Sequence, residues 1–228
     1  MKKRLLSFVL VATLLMSMFV MPANAADDVT MSLSVVGFST ENATSKYVKE
    51  TGSVATLKQN ETVAVKVTIT NNTAKELNLA GYRIELNFDS RIFETTTFNW
   101  ENDDESGTSG PVALASGKNG GVTWTPAFSK NDSAAAWAAT DAHTVAIPVN
   151  GSKILGYLLL KVKTSVESCE TAISFPDGVS QFQSESKANY ITAVVNTGEE
   201  IGLSNVTYYP ETVSINGITP ILNTVTLD

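Results

Sequence analysis

The sequence predicts an all-β fold, an antiparallel β-sandwich of two packed sheets with about nine strands. Three observations predict it. Apolar and polar residues alternate with period two in several separate stretches, Gly, Pro, Asn or Ser bounds each stretch, and no amphipathic helix of three turns occurs.

Val29, Met31, Leu33 and Val35 alternate with Thr30, Ser32 and Ser34, which predicts a first strand over 29–36. Residues 37–52 read as polar and irregular. Val63, Val65, Val67 and Ile69 then alternate with Ala64, Lys66 and Thr68 up to an Asn71-Asn72 turn. From Ala80 onward, Tyr82, Ile84, Leu86 and Phe88 take one face, the core, while Arg83, Glu85 and Asn87 take the wet face, before a turn at Asp89-Ser90.

Residues 97–121 are rich in Asn, Asp, Ser and Gly and read as a long loop or a pair of short edge strands. Residues 122–128 suggest a strand cut short by Pro126. The Ala-rich run Ser133–Asp141 suggests a short helix or a tight loop excursion, because Ala favours helix and is depleted in strands. Further strands are expected at 144–149, 154–163, 171–175, 190–195 and 206–215.

At the N-terminus Lys2, Lys3 and Arg4 precede an uncharged apolar run from Leu5 to Met21, followed by Pro22-Ala23-Asn24-Ala25. A basic start, an apolar centre and an A-x-A exit make residues 1–25 a secretory signal peptide, so the mature chain is expected outside the cytoplasm, secreted or at the bacterial cell surface, with no membrane span. The domain is expected over 26–217, with 218–228 a tail or last edge strand. Beyond residue 25 the chain carries 13 Lys and Arg against 23 Asp and Glu, a net charge of −10. That acidity excludes the basic footprint that nucleic acid or anionic lipid requires. The single cysteine, Cys169, permits no internal disulfide and is expected as a buried small hydrophobe.

Catalytic chemistry finds little support in the residues. His143 is the only histidine, and no G-x-S-x-G, H-E-x-x-H or Cys/His spacing accompanies it. Asn99, Glu101, Asn102, Asp103, Asp104 and Glu105 gather oxygen ligands in one loop, but without the spacing of a calcium hand, and read as a solvated acidic loop. No metal, cofactor or enzymatic activity is expected. Trp124 alternates with Val122 and is expected to be buried, whereas Trp100 and Trp137 fall in segments expected to be exposed and offer platforms for sugar rings.

The run Asn78-Leu79-Ala80-Gly81-Tyr82-Arg83-Ile84-Glu85-Leu86-Asn87-Phe88-Asp89-Ser90-Arg91-Ile92-Phe93-Glu94 resembles the signature of the cohesin family. Leu57–Val63 is similar to that family's approach to an early strand, and Ile154–Lys163 to a later strand, in family order. Asn60, Phe88, Ser90 and Phe93 depart from the family's usual Gly, Tyr, Pro and Leu, and the insertion 97–121 lacks a counterpart in the shortest members. The resemblance spans about residues 54–215 and implies a jelly-roll sandwich that binds dockerin modules of polysaccharide-degrading enzymes or scaffoldins. It further implies that Arg83, Glu85 and Asn87 lie on the sheet that meets the partner. Carbohydrate-binding modules share this type of fold, so a polysaccharide site at Trp100 and Trp137 stands as the alternative.

Overall fold

The structure, a computed structural model, describes residues 29–39, 47–96, 98–99, 109–110, 112–115, 127–184, 186–194, 200–202 and 206–218. Residues 1–25, Trp100, Trp124, the acidic residues 101–105 and the tail from 219 onward lie outside them.

The chain forms an all-β sandwich of jelly-roll type. In order, the strands are β1 (Val29–Ser39), β2 (Tyr47–Ser53), β3 (Thr56–Lys58), β4 (Thr62–Asn71), β5 (Leu77–Asn87), β6 (Phe93–Thr95), β7 (Phe98–Asn99), β8 (Ser109–Gly110) and β9 (Val112–Ala115). They continue with β10 (Ala127–Lys130), β11 (Ala134–Ile147), β12 (Ser152–Val162), β13 (Cys169–Ile173), β14 (Tyr190–Val194), β15 (Glu200–Gly202), β16 (Val206–Tyr209) and β17 (Glu211–Asn216). The expected strands at 29–36, 63–69, 80–88, 154–163, 171–175 and 190–195 fall on β1, β4, β5, β12, β13 and β14. The described residues hold seventeen strand segments rather than about nine, because short edge pieces such as β2, β3, β6 and β9 add to the long strands.

Two sheets face each other. One runs β10-β11-β5-β14-β15, and the other is built on β16-β1-β4-β12 with β2, β9 and β6 added to it. Most pairs are antiparallel, and three short ones, β1 with β16, β17 with β3 and β2 with β9, are parallel. The core lies between the sheets, where Met31, Val65, Val67, Ile69, Tyr82, Ile84, Leu86, Trp137, Leu158 and Leu160 are buried together. Period-two alternation makes this packing possible, since one register puts every apolar side chain of a strand on the same face.

A second, smaller cluster of Val36, Val48, Ala64, Ala113, Tyr157 and Leu159 packs on the other side of the larger sheet. The pairings there close on themselves in the order β1, β2, β9, β12, β4 and back to β1. Residues 47–52, expected to be irregular, are thereby held within β2, beside a cluster that includes Ala64 from the side of β4 that alternation assigns away from the core.

Three local expectations are corrected. The Ala-rich run is neither helix nor loop but the first half of β11, hydrogen-bonded to β10 on one side and β5 on the other. Asn131 sets up the turn that starts it, its Oδ1 accepting from the backbone N–H of Ser133 at 2.9 Å and of Ala134 at 2.7 Å. Ladder bonds on both edges outweigh the helix propensity of alanine, which is high but worth only a fraction of a kcal/mol per residue and is overridden by tertiary pairing. The stretch 206–215 is divided at Pro210 into β16 and β17, which belong to different sheets. Cys169 is exposed rather than buried, because it begins β13, the edge strand of the small sheet β13-β17-β3.

Candidate functional site

The sequence singled out the outward residues of β5, and the structure places them under a covering segment. The strand bordering β5 is interrupted. Ser174, just after β13, exchanges backbone hydrogen bonds with Asn87 at 2.8 and 3.0 Å, and pairing resumes only at Tyr190, opposite Arg83. The chain between these points leaves the ladder as a strap over the outer face of the sheet. Asn189 closes its neck: Oδ1 accepts from the Glu85 N–H at 2.8 Å in place of a ladder carbonyl, and Nδ2 donates to the Pro176 carbonyl at 3.1 Å. Within the strap, Ser180 N–H donates to Ser186 O at 2.8 Å and Ala188 N–H to Gly178 O at 2.9 Å.

Side chains of β5 hold the strap down. Glu85 accepts from Ser180 Oγ at 2.7 Å through Oε2 and from the Gln181 N–H at 3.1 Å through Oε1. Arg83 donates from one terminal nitrogen to Ser180 Oγ at 2.5 Å and from the other to Gln183 Oε1. Asn87 Oδ1 accepts from Gln181 Nε2 at 2.8 Å. The expected wet face is therefore corrected for two of its three residues: Glu85 is fully buried, Arg83 is 5 % exposed and Asn87 is half-buried. Alternation identified their side of the strand correctly. It carried no sign of the strap, whose contacts are made by residues about a hundred positions away in sequence.

Arg83 and Glu85 are close enough to compensate each other, with Nη2 and Oε2 3.9 Å apart. Such pairing is what permits a carboxylate to be fully buried. The Arg83 Nε–H, also buried, has no hydrogen-bond partner among the described residues. Arg83 also lines a small pocket of about 90 Å³, together with Gln183, Phe128, Ser129, Ala136, Trp137 and Ala138.

Trp137, expected as an exposed sugar platform, is corrected: it is buried in the core on β11, and its indole Nε1 donates to the Leu155 carbonyl at 3.3 Å. A second, larger pocket of about 260 Å³ at one end of the sandwich is lined by Ser90, Phe93, Glu94, Thr95, Asn131, Asp132 and Lys163. Lys163 Nζ is already committed there to the Ser90 carbonyl at 2.6 Å. Among the described residues, no group of three or more His, Cys, Asp or Glu is arranged to hold a metal ion, and no helix is long and apolar enough to cross a membrane.

This chain is similar to solved cohesin modules. The seventh ScaB type I cohesin from Pseudobacteroides cellulosolvens matches with 7 % identity and a TM-score of 0.49, over 87 % of this chain and 98 % of that one. A type II cohesin domain from the cellulosome of Acetivibrio cellulolyticus matches with 12 % identity and a TM-score of 0.46, over 81 % and 94 %. The sixth cohesin of scaffoldin B from Acetivibrio cellulolyticus, solved in complex with a Cel5 dockerin mutant, matches with 10 % identity and a TM-score of 0.44, over 83 % and 99 %. No family model matches the chain, and no curated protein matches it.

Proposed function

We propose that this chain is an exported, non-catalytic docking module of cohesin type. Its partner is a dockerin-bearing protein, an enzyme or a scaffoldin of a polysaccharide-degrading assembly, met outside the cell or on its surface. The observation that carries this reading is where the three resembling blocks fall. Asn78–Glu94 supplies β5, the middle strand of the five-stranded sheet, while Leu57–Val63 and Ile154–Lys163 supply the start of β4 and most of β12, which pair in the facing sheet. Blocks matched only by chance have no reason to fall on two paired strands of one sheet and on the middle strand of the sheet that faces it.

The docking surface is the outer side of the five-stranded sheet, and the strap forms part of it. Arg83, Glu85 and Asn87 serve it from below: Glu85 fixes the strap, Asn87 stands at its margin and Arg83 reaches the pocket. A surface held by side-chain bonds suits docking, since little conformational entropy remains to be lost. Burial of Trp137 removes one of the two aromatics on which a polysaccharide site was built.

Calorimetric titration of the mature chain with dockerin modules from the same genome tests the proposal. Saturable binding to at least one module is expected, with no retention on a panel of insoluble polysaccharides. Absence of heat with every dockerin, or retention on a polysaccharide alone, overturns it.

A further inference from the structure

We propose that the crest of the strap, Val179 with Lys187 beside it, selects the docking partner by meeting an apolar side chain flanked by a carboxylate. The inference rests on the docking reading and assigns its specificity to two residues of the strap.

The strap folds back on itself as a small antiparallel hairpin. Val179 stands opposite Lys187, and the flanking bonds run from the Ser180 N–H to Ser186 O at 2.8 Å and from the Ala188 N–H to Gly178 O at 2.9 Å. That pattern makes Val179 and Lys187 a pair with no hydrogen bond between them, the kind in which facing residues come closest, about 4.5 Å between Cα atoms. Their neighbours face the other way: Ser180 is bonded to Arg83 and Glu85 of the sheet, and Ala188 is fully buried. Successive side chains of a strand alternate, so Val179 and Lys187 point outward together. Both are exposed, Val179 at 63 %, more than any other large apolar side chain among the described residues.

The chemistry of the pair assigns the occupant. Threonine, equally branched at Cβ, would suit the hairpin as well as valine and would stay solvated, so an apolar group at the crest gains only where a partner covers it. The strap's bonds to β5 hold that group in place, and little freedom is lost on contact. The other exposed side chains described in the strap, Asp177, Gln181, Gln183 and Ser184, are polar and suit the rim of such a contact. Lys187 sets the charge. It takes part in no ion pair among the described residues, so an arriving carboxylate finds a free ammonium, whereas an arriving lysine or arginine meets its own sign. A protein fits this crest better than a sugar, because an aliphatic side chain beside an ammonium offers no ring on which a sugar stacks.

Calorimetric titration of variants of the mature chain, with the dockerin module that binds the parent most tightly, tests both residues. Val179→Asp is expected to weaken docking about tenfold and Val179→Thr about threefold, with the melting temperature unchanged because neither change touches the bonds that hold the strap. Lys187→Gln is expected to weaken docking about threefold and to lessen its decline with added salt. If Val179→Asp fails to fold, Val179→Thr, which keeps the branch at Cβ, carries the test. Docking undiminished in all three variants overturns the crest and leaves the docking reading intact. A melting temperature lowered by Val179→Thr overturns the outward placement of Val179. Salt dependence unchanged in Lys187→Gln overturns the carboxylate. No dockerin binding by the parent chain overturns docking and crest together.

Discussion

Tyr82 and Trp137, on neighbouring strands β5 and β11, donate to one oxygen in the opposite sheet, the carbonyl of Leu155. The Tyr82 hydroxyl reaches it at 2.7 Å and the Trp137 indole at 3.3 Å. Leu155 is the bulged residue of β12, with no partner in β4, between Ile154 opposite Thr68 and Gly156 opposite Val67. A bulge turns a carbonyl out of its ladder. Here that carbonyl satisfies two polar groups in an otherwise apolar core and sets the register of one sheet against the other.

Tyr82→Phe is expected to cost about 1 kcal/mol, since the Leu155 carbonyl keeps its bond from Trp137. Trp137→Ala is expected to cost about 3–5 kcal/mol through the cavity it leaves. The double variant leaves the carbonyl unpaired and is expected to lose more than the two together. Urea denaturation of the four proteins measures all three quantities.

Burial pushes the Tyr82 hydroxyl well above the ordinary tyrosine range, opposed in part by its interaction with Trp137. Tyr157 is raised too, by burial first and then by its hydrogen bond to the Glu50 carboxylate at 2.7 Å. In the unfolded chain both ionise near pH 10, while the folded chain keeps their protons, so the unfolded state binds fewer protons above that pH and stability falls as pH rises. Melting temperature is expected to be insensitive to these groups at neutral pH and to drop steadily from about pH 10. The share of the tyrosinate absorbance that is lost in Tyr82→Phe and Tyr157→Phe is expected to appear only together with unfolding, and free titration of both residues in the folded state contradicts the assignment.

Glu85→Ala is expected to destabilise the chain by about 3–5 kcal/mol, because it strands the buried Arg83 guanidinium. It also takes the acceptor from Ser180 Oγ and the Gln181 N–H, so proteolytic cleavage within the strap is expected to precede global unfolding. Arg83→Ala is expected to cost a similar amount, whereas an outward, solvated arginine would cost little. Asn87→Ala, at the half-buried margin, is expected to change stability by less than about 1 kcal/mol. Equal and small losses at all three positions would show that the strap does not bury them.

Gly156→Ala is expected to cost about 1–3 kcal/mol. Gly156 has φ of +144°, a conformation that side chains rarely adopt, and an added Cβ would lie 3.1 Å from Trp137 Nε1. The effect should fall within the Tyr82–Trp137 network, so near-ultraviolet circular dichroism of the Trp137 signal is expected to change with it. An unchanged spectrum and an unchanged melting temperature would contradict the close fit.

The sequence by itself determined what local repetition can determine. The period-two runs in β1, β4 and β5 each name their own buried face, because successive side chains of a strand point to opposite sides whatever the neighbours are. Tyr82, Ile84, Leu86 and Phe88 were legible as core for that reason, and all four are buried. Only the tertiary structure decided what covers the other face. Arg83 and Glu85 alternate just as solvated residues do, and their burial depends on Ser180, Gln181 and Gln183, which arrive by a break in the neighbouring strand. Trp137 follows the same logic: an alanine-rich window favours helix in isolation, and two flanking strands make it a strand with the indole turned to Leu155. Alternation is a property of one strand, whereas burial of a polar residue is a property of the pair it makes across the fold, and no local pattern records that pair.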